Sequence, residues 1–283
     1  MEEFLNKRKS RLVAVSLLII LSVVVIFAGS RLYSQYREQV IRTEESQLLT
    51  MAGIVGNNLN SYMEQQLEEI DLFYSQEGMP ENVWAEYGGI NARTAYFLKE
   101  NVGVYNWITV TEPDGTKFRY EPGKKTFQES ADGEVKAVDP QDGNHHAEIT
   151  GKEISDQTGW YELYIEKNVP VGSEVYMLTF AMDLGALYEK IVAPVKIGEA
   201  GYSSVKDQNM NIIMHHVKNQ IGLEAVDGRI ERYPYLDMSS LNAWIMRQEN
   251  EDSGTGVIDT YVWDDPELKR VRRVVAFQAI SIQ

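Results

Sequence analysis

One apolar run constrains this chain more than any other feature. Leu12 to Ser30 reads LVAVSLLIILSVVVIFAGS, carries no charge and is bracketed by Arg11 and Arg31. As a helix rising 1.5 Å per residue it would be roughly 28 Å long, about one bilayer hydrocarbon core. The run is therefore expected to be a membrane anchor. A cleaved signal peptide fits less well, because its apolar core is usually about 7–15 residues and ends in small residues of the A-x-A kind. Phe27-Ala28-Gly29-Ser30 matches such a site poorly. Lys7, Arg8, Lys9 and Arg11 precede the run. The positive-inside tendency keeps that end in the cytoplasm and puts everything after Ser30 outside the cell membrane.

The rest of the chain must then fold in an extracytoplasmic setting. Its 283 residues allow one large or two modest globular units besides the anchor. The formal net charge is −15; the tail before the apolar run carries +2, which leaves −17 on the part after it and argues against nucleic acid or anionic lipid as partners. Cysteine is absent. That excludes disulfides, a thiolate metal site and a cysteine nucleophile. No Gly-x-Ser-x-Gly elbow, His-Glu-x-x-His or Walker loop occurs, so no enzyme is expected in this region. A carboxylate-pair hydrolase and a structural or adhesion module stay as distant alternatives.

Residues 31–80 hold no proline before Pro80, and Leu48, Ala52, Val55, Leu59 and Tyr62 step by four and three, a helical stripe. This predicts a long stalk helix, with a homodimer through it as the expected assembly. From Gly103 the period shortens. Val104 to Thr111, the turn Glu112-Pro113-Asp114-Gly115 and Lys117 to Glu121 predict a hairpin. Gly159 to Val169 and Glu174 to Met182 predict another. Pro122 to Glu148 reads as loop. Leu184 to Val192 is a short amphipathic helix stopped by Pro194. A second set follows: strands at Tyr202 to Lys206 and Asn211 to His216, a helix at Leu236 to Gln248, and strands at Val257 to Trp263 and Val271 to Ile280. The expected class is α+β: a tail over residues 1–11, the span 12–30, the stalk helix 31–80, and units at 81–192 and 193–283.

This order resembles the double Cache sensors, whose two domains are PAS-like. Val110-Thr111-Glu112-Pro113-Asp114-Gly115 is similar to the family's first hairpin turn, and Tyr176 to Leu187 to its strand ending in an aspartate before a helix. Ile197-Gly198-Glu199-Ala200-Gly201-Tyr202, then Asp207 to Ile213, His215 and Ile221-Gly222, resemble the opening of its second domain. The resemblance implies a ligand-sensing receptor, truncated here before a second membrane helix and an output domain. That output is expected to be a histidine kinase, with a diguanylate cyclase or chemotaxis receptor as alternatives. It further implies a small-molecule ligand in the membrane-distal unit, 81–192, and no cofactor.

Amino-acid-binding members carry Arg-x-Trp-Tyr, which this chain lacks; Asp183 alone matches their pocket aspartate. The other candidates come from strand alternation. Tyr105 and Trp107 should share one face, Trp160 and Tyr164 another, and Thr179, Ala181 and Asp183 a third. Arg119 and Arg93 are the plausible anion partners. Adjacent histidines, His145-His146 and His215-His216, lack metal spacing, because neighbouring strand residues point to opposite faces.

Overall fold

A computed structural model describes residues 2–75, 89–124, 127–129, 146–196, 198 and 201–281, with side-chain surroundings given from residue 21 onward, residues 127–129 excepted. The first helix, α1, is a single rod, Glu2–Tyr74, of 73 residues. No proline interrupts it. At 1.5 Å per residue it is roughly 110 Å long. Among the residues whose side chains are described, no helix is long and apolar enough to cross a membrane. The expected span at 12–30 is helical throughout; the side chains of residues 12–20 lie outside those described, and the apolar side chains of Leu21 to Phe27 are exposed.

The stalk stripe is present and runs further than the sequence spacing indicated. Val55, Leu59, Met63, Ile70 and Tyr74 are buried on one side of α1. They meet a second helix, α2 (Gly89–Glu100), and a six-stranded antiparallel sheet. Its strands are β1 (Tyr105–Thr111), β2 (Lys117–Tyr120), β3 (Phe127–Glu129), β4 (Glu148–Ile154), β5 (Tyr161–Val171) and β6 (Glu174–Asp183), in the order β3-β2-β1-β6-β5-β4. Both predicted hairpins are there. The first turn closes with Gly115 N–H on Glu112 O at 2.8 Å, and Gly115 sits at φ +88, a left-handed value that favours glycine. Three elements of this unit were not anticipated: α2, β3 and β4. Residues 125, 126 and 130–145 of the expected loop lie outside those described.

The core seam is aromatic. Phe180 of β6 meets Tyr74, Phe97 and Tyr105 with ring centroids 5.9, 5.7 and 5.6 Å apart. Arg93 belongs to this seam too. It is 3% exposed, with its guanidinium 4.6 Å from the Phe73 ring centroid, so it does not serve the sheet's far face as an anion partner.

A polar clasp ties α1 to the sheet. Asp71 accepts from Lys167 Nζ at 2.7 Å and from the Ala147 amide at 2.7 Å, and lies 2.9 Å from His146 Nδ1. Burial alone would raise the Asp71 pKa; its bonds to Lys167, Ala147 and His146 outweigh that and hold it below the usual range. A depressed carboxylate stabilises the fold above its unfolded value, and that contribution is lost as pH falls through the folded value. Asp71→Ala is expected to cost about 2 kcal/mol. Breaking a buried pair costs ~3–5 kcal/mol, reduced here because Asp71 is partly solvated. Urea unfolding at pH 7 checks it; a loss under about 0.5 kcal/mol would show that the clasp holds nothing.

After β6 the chain makes a short helix, α3 (Leu184–Leu187), and a π-turn, Tyr188–Val192. Beyond it come β7 (Val205–Lys206), β8 (Ile212–Met214), α4 (Asp227–Arg232), α5 (Ser239–Asn250), β9 (Ser253–Tyr261) and β10 (Arg270–Gln278). The strands form two separate antiparallel pairs, β7-β8 and β10-β9. Trp244, Ile245, Ile258, Tyr261, Trp263 and Leu268 build a second buried cluster. α1 also reaches this region: a Cβ at Gly56 would lie 2.5 Å from Ile280 Cγ2, so glycine lets the segment after β10 approach closely.

Candidate functional site

One face of the six-stranded sheet packs on α1 and α2; the other carries the site. Register defines that second face. Trp107 of β1 pairs with Ala181 of β6, which pairs with Tyr164 of β5. Thr109 pairs with Arg119 on one side and Thr179 on the other, and Glu162 pairs with Asp183. Antiparallel partners stand on the same face. Three faces expected from single-strand alternation thus collapse largely into one.

Two candidates move off it. A register shift falls between Tyr105 and Trp107. Such a bulge reverses the alternation. Tyr105 therefore points to the helices, 1% exposed, and its hydroxyl donates to Gln66 Oε1 at 3.1 Å. The expectation that it shares a face with Trp107 is corrected. Trp160 precedes β5 and is 7% exposed, with its ring centroid 5.3 Å from Tyr188 and Gly185 beneath it. It supports α3 and does not join Tyr164. A Cβ at Gly185 would lie 2.6 Å from the Trp160 ring. Gly185→Ala is expected to displace the indole and cost about 1–3 kcal/mol, seen as a lower unfolding midpoint and a changed near-ultraviolet circular dichroism signal. An unaltered signal would contradict the packing.

What remains is compact. The Arg119 guanidinium lies 4.2 Å over the Trp107 ring, and Trp107 and Tyr164 have ring centroids 5.6 Å apart. Arg119 Nε is 3.3 Å from Glu121 Oε1. The Tyr164 hydroxyl donates to Glu153 Oε2 at 3.1 Å; burial, then that bond and the charges of Glu153 and Glu162, push its pKa up to about 12. It stays a donor at any working pH.

Glu162 was missed from sequence. It is 6% exposed, accepting from Asn106 Nδ2 at 2.7 Å and Trp107 Nε1 at 3.1 Å, both neutral. No cationic group among the described residues lies within ion-pair distance of it. Buried charges are ordinarily paired. A carboxylate held by neutral donors beside two aromatic rings is arranged to receive a cationic group. Strand alternation from Tyr164 would have placed Glu162 on this face.

Asp183 has a second task. Its Oδ1 accepts from the Gly185 amide at 2.8 Å, capping α3. It also lines a recess of about 230 Å³ with Tyr62, Val104, Met182 and Lys190. The Lys190 ammonium lies 4.6 Å from the Tyr62 ring centroid. Of the histidines, His145 lies outside the described residues. Among those described, no group of histidine and carboxylate side chains has metal-binding geometry.

No protein-family model and no curated protein matches the sequence. Solved structures do match. The extracellular domain of vpHK1S-Z8, assigned as a histidine kinase, is 13% identical, with 85% of this chain and 94% of that chain covered and a TM-score of 0.53. The ligand-binding domain of the Pseudomonas aeruginosa PAO1 amino acid chemoreceptor PctC, in complex with GABA, is 15% identical over 83% of this chain and 97% of that chain, with a TM-score of 0.49. That of the Pseudomonas fluorescens chemoreceptor CtaA with L-valine is 15% identical over 86% and 99%, at 0.48. The last two scores carry no weight here. The chain has the fold of the extracellular domain of that histidine kinase, in keeping with the double Cache resemblance. Identity this low speaks for the fold alone.

Proposed function

We propose that this chain is the extracytoplasmic ligand-sensing region of a membrane signal-transduction receptor, taking a small molecule on the face built by Trp107, Tyr164, Arg119 and Glu162. The buried Glu162 carboxylate, satisfied only by neutral donors, is the observation that carries this reading. The ligand presents an ammonium or similar cation to Glu162. Trp107, with the Glu121-paired Arg119 stacked over it, and Tyr164 supply the walls.

The apolar run 12–30 anchors the region, with residues 1–11 in the cytoplasm, 31–80 as stalk, 81–192 membrane-distal and 193–283 membrane-proximal. The exposed Val23, Val24, Val25, Ile26 and Phe27 suit a lipid environment, and exposed Leu32, Tyr33 and Tyr36 suit a homodimer through α1. A histidine kinase is the output we favour. Nothing in the site points to catalysis by this region.

A thermal-shift panel of amino acids, γ-aminobutyrate, polyamines and neutral metabolites on the purified chain tests the reading. A cation-bearing hit is expected, and Glu162→Gln should weaken it by about tenfold or more, the effect of removing a charge-assisted bond at a desolvated site. Asp183→Ala should lower the unfolding free energy by about 1 kcal/mol through the lost helix cap. No shift from any cation-bearing compound, or a hit indifferent to Glu162→Gln, would refute the placement.

A further inference from the structure

A cavity of about 600 Å³ lies away from that face, between α1, β7 and the β9-β10 pair. Its inner end gathers Tyr202, Lys206, His215, Arg229, Trp263 and Arg273. Arg229 is 4% exposed. Its Nε donates to Gln220 Oε1 at 2.9 Å and Nη1 to the Ala225 carbonyl at 3.3 Å, while the guanidinium lies 4.0 Å over the Trp263 ring. All these partners are neutral. No carboxylate among the described residues lies within ion-pair distance of it.

Lys206 borders the same space and donates to Gln248 Oε1 at 3.2 Å, another neutral oxygen. Burial, then the charge of Arg229, lowers its pKa to about 8. The guanidinium of Arg273 lies 5.3 Å from the Tyr202 ring centroid. Two carboxylates also line the cavity. Asp207 is engaged by Lys152 at 3.0 Å and by Asn211, and Glu249 is exposed. His215 is 1% exposed, and its Nδ1 accepts from the Val217 amide at 3.0 Å. That fixes the ring proton on Nε2, which has no hydrogen-bond acceptor.

A buried guanidinium beside a half-buried ammonium, both held by neutral oxygens, is costly unless an anion completes them. We propose that this cavity is a binding site for a small organic anion, a monocarboxylate with an aromatic or apolar body. Its carboxylate sits on Arg229 and Lys206, in the bidentate manner a guanidinium favours. Its body lies against Trp263 and Tyr202. The volume falls within the range of about 300–1,000 Å³ usual for small-molecule sites. This site is separate from the Glu162 face, and of opposite charge preference.

Titration calorimetry of the full chain in detergent, with sodium benzoate and with benzamide, tests it. Benzoate should bind saturably and quench tryptophan fluorescence, with benzamide about tenfold weaker or more. Arg229→Gln should cost benzoate about tenfold in affinity. Because Arg229 is buried and its loss threatens the fold, Lys206→Gln is the second variant: several-fold weaker benzoate with an unchanged melting curve. Lys99→Gln, at an exposed position on α2, should change nothing. The proposal is overturned by no saturable benzoate binding, by equal benzamide binding, or by a folded Lys206→Gln chain that binds benzoate as well as the parent.

Discussion

Phe180→Ala is expected to lower the unfolding free energy by about 4 kcal/mol, within the range for deleting a buried aromatic ring. The ring is fully buried and touches Tyr74 of α1, Phe97 of α2 and Tyr105 of β1. Three elements distant in sequence therefore lose contact with one truncation. The void cannot close by moving a single side chain, because its neighbours are fixed by different backbones. Urea unfolding of the parent and variant measures the effect. A loss under about 1.5 kcal/mol would show that the aromatic seam is not the junction between helices and sheet.

The second large effect is set by pH. Burial, then the charges of His216 and Arg229, lowers the His215 pKa to about 2. In the unfolded chain an imidazole titrates near about 6.5. Below that value the unfolded state binds a proton that the native ring refuses, so His215 favours folding fully above about pH 6.5 and progressively less below it. The slope approaches about 1.4 kcal/mol per pH unit. Between pH 6.5 and 5 roughly 1–2 kcal/mol should disappear. His216, also lowered by burial, acts in the same window. Asp71 and Asp207, depressed carboxylates, act at lower pH. Urea unfolding in that interval should show a clearly flatter slope for His215→Asn than for the parent. Identical slopes would mean that the imidazole protonates in the native state.

Much of the fold was legible because its signals are local. The Glu112 to Gly115 turn, the β5-β6 hairpin and the stalk stripe are written within a few residues of where they act. The site was legible only in part. Trp107, Tyr164 and Arg119 do meet, but alternation gives the face of a residue only while the strand is regular, and the shift after Tyr105 reversed it. Trp160 misled for another reason, standing just before its strand and packing under a helix instead. Glu162 became visible only through register: its partner Trp107 is 55 residues away in sequence. The six-residue helix that carries Arg229 is too short for a periodic signal, and nothing near it announces a buried charge. β4 pairs along an exposed edge, with a polar sequence that reads as loop.

The unbroken course of α1 has a mechanical meaning. Its side chains seat Tyr74 and Asp71 under the six-stranded sheet and Gly56 under the end of β10. With every intervening turn hydrogen-bonded and no proline or bulge to act as a joint, the rod behaves as a shaft carrying two loads. A rotation or slide imposed at one load would be carried along the same rod to the other. Two chemically opposite ligands, a cation at Glu162 and an anion at Arg229, would then be added by one moving part, whose position is their sum.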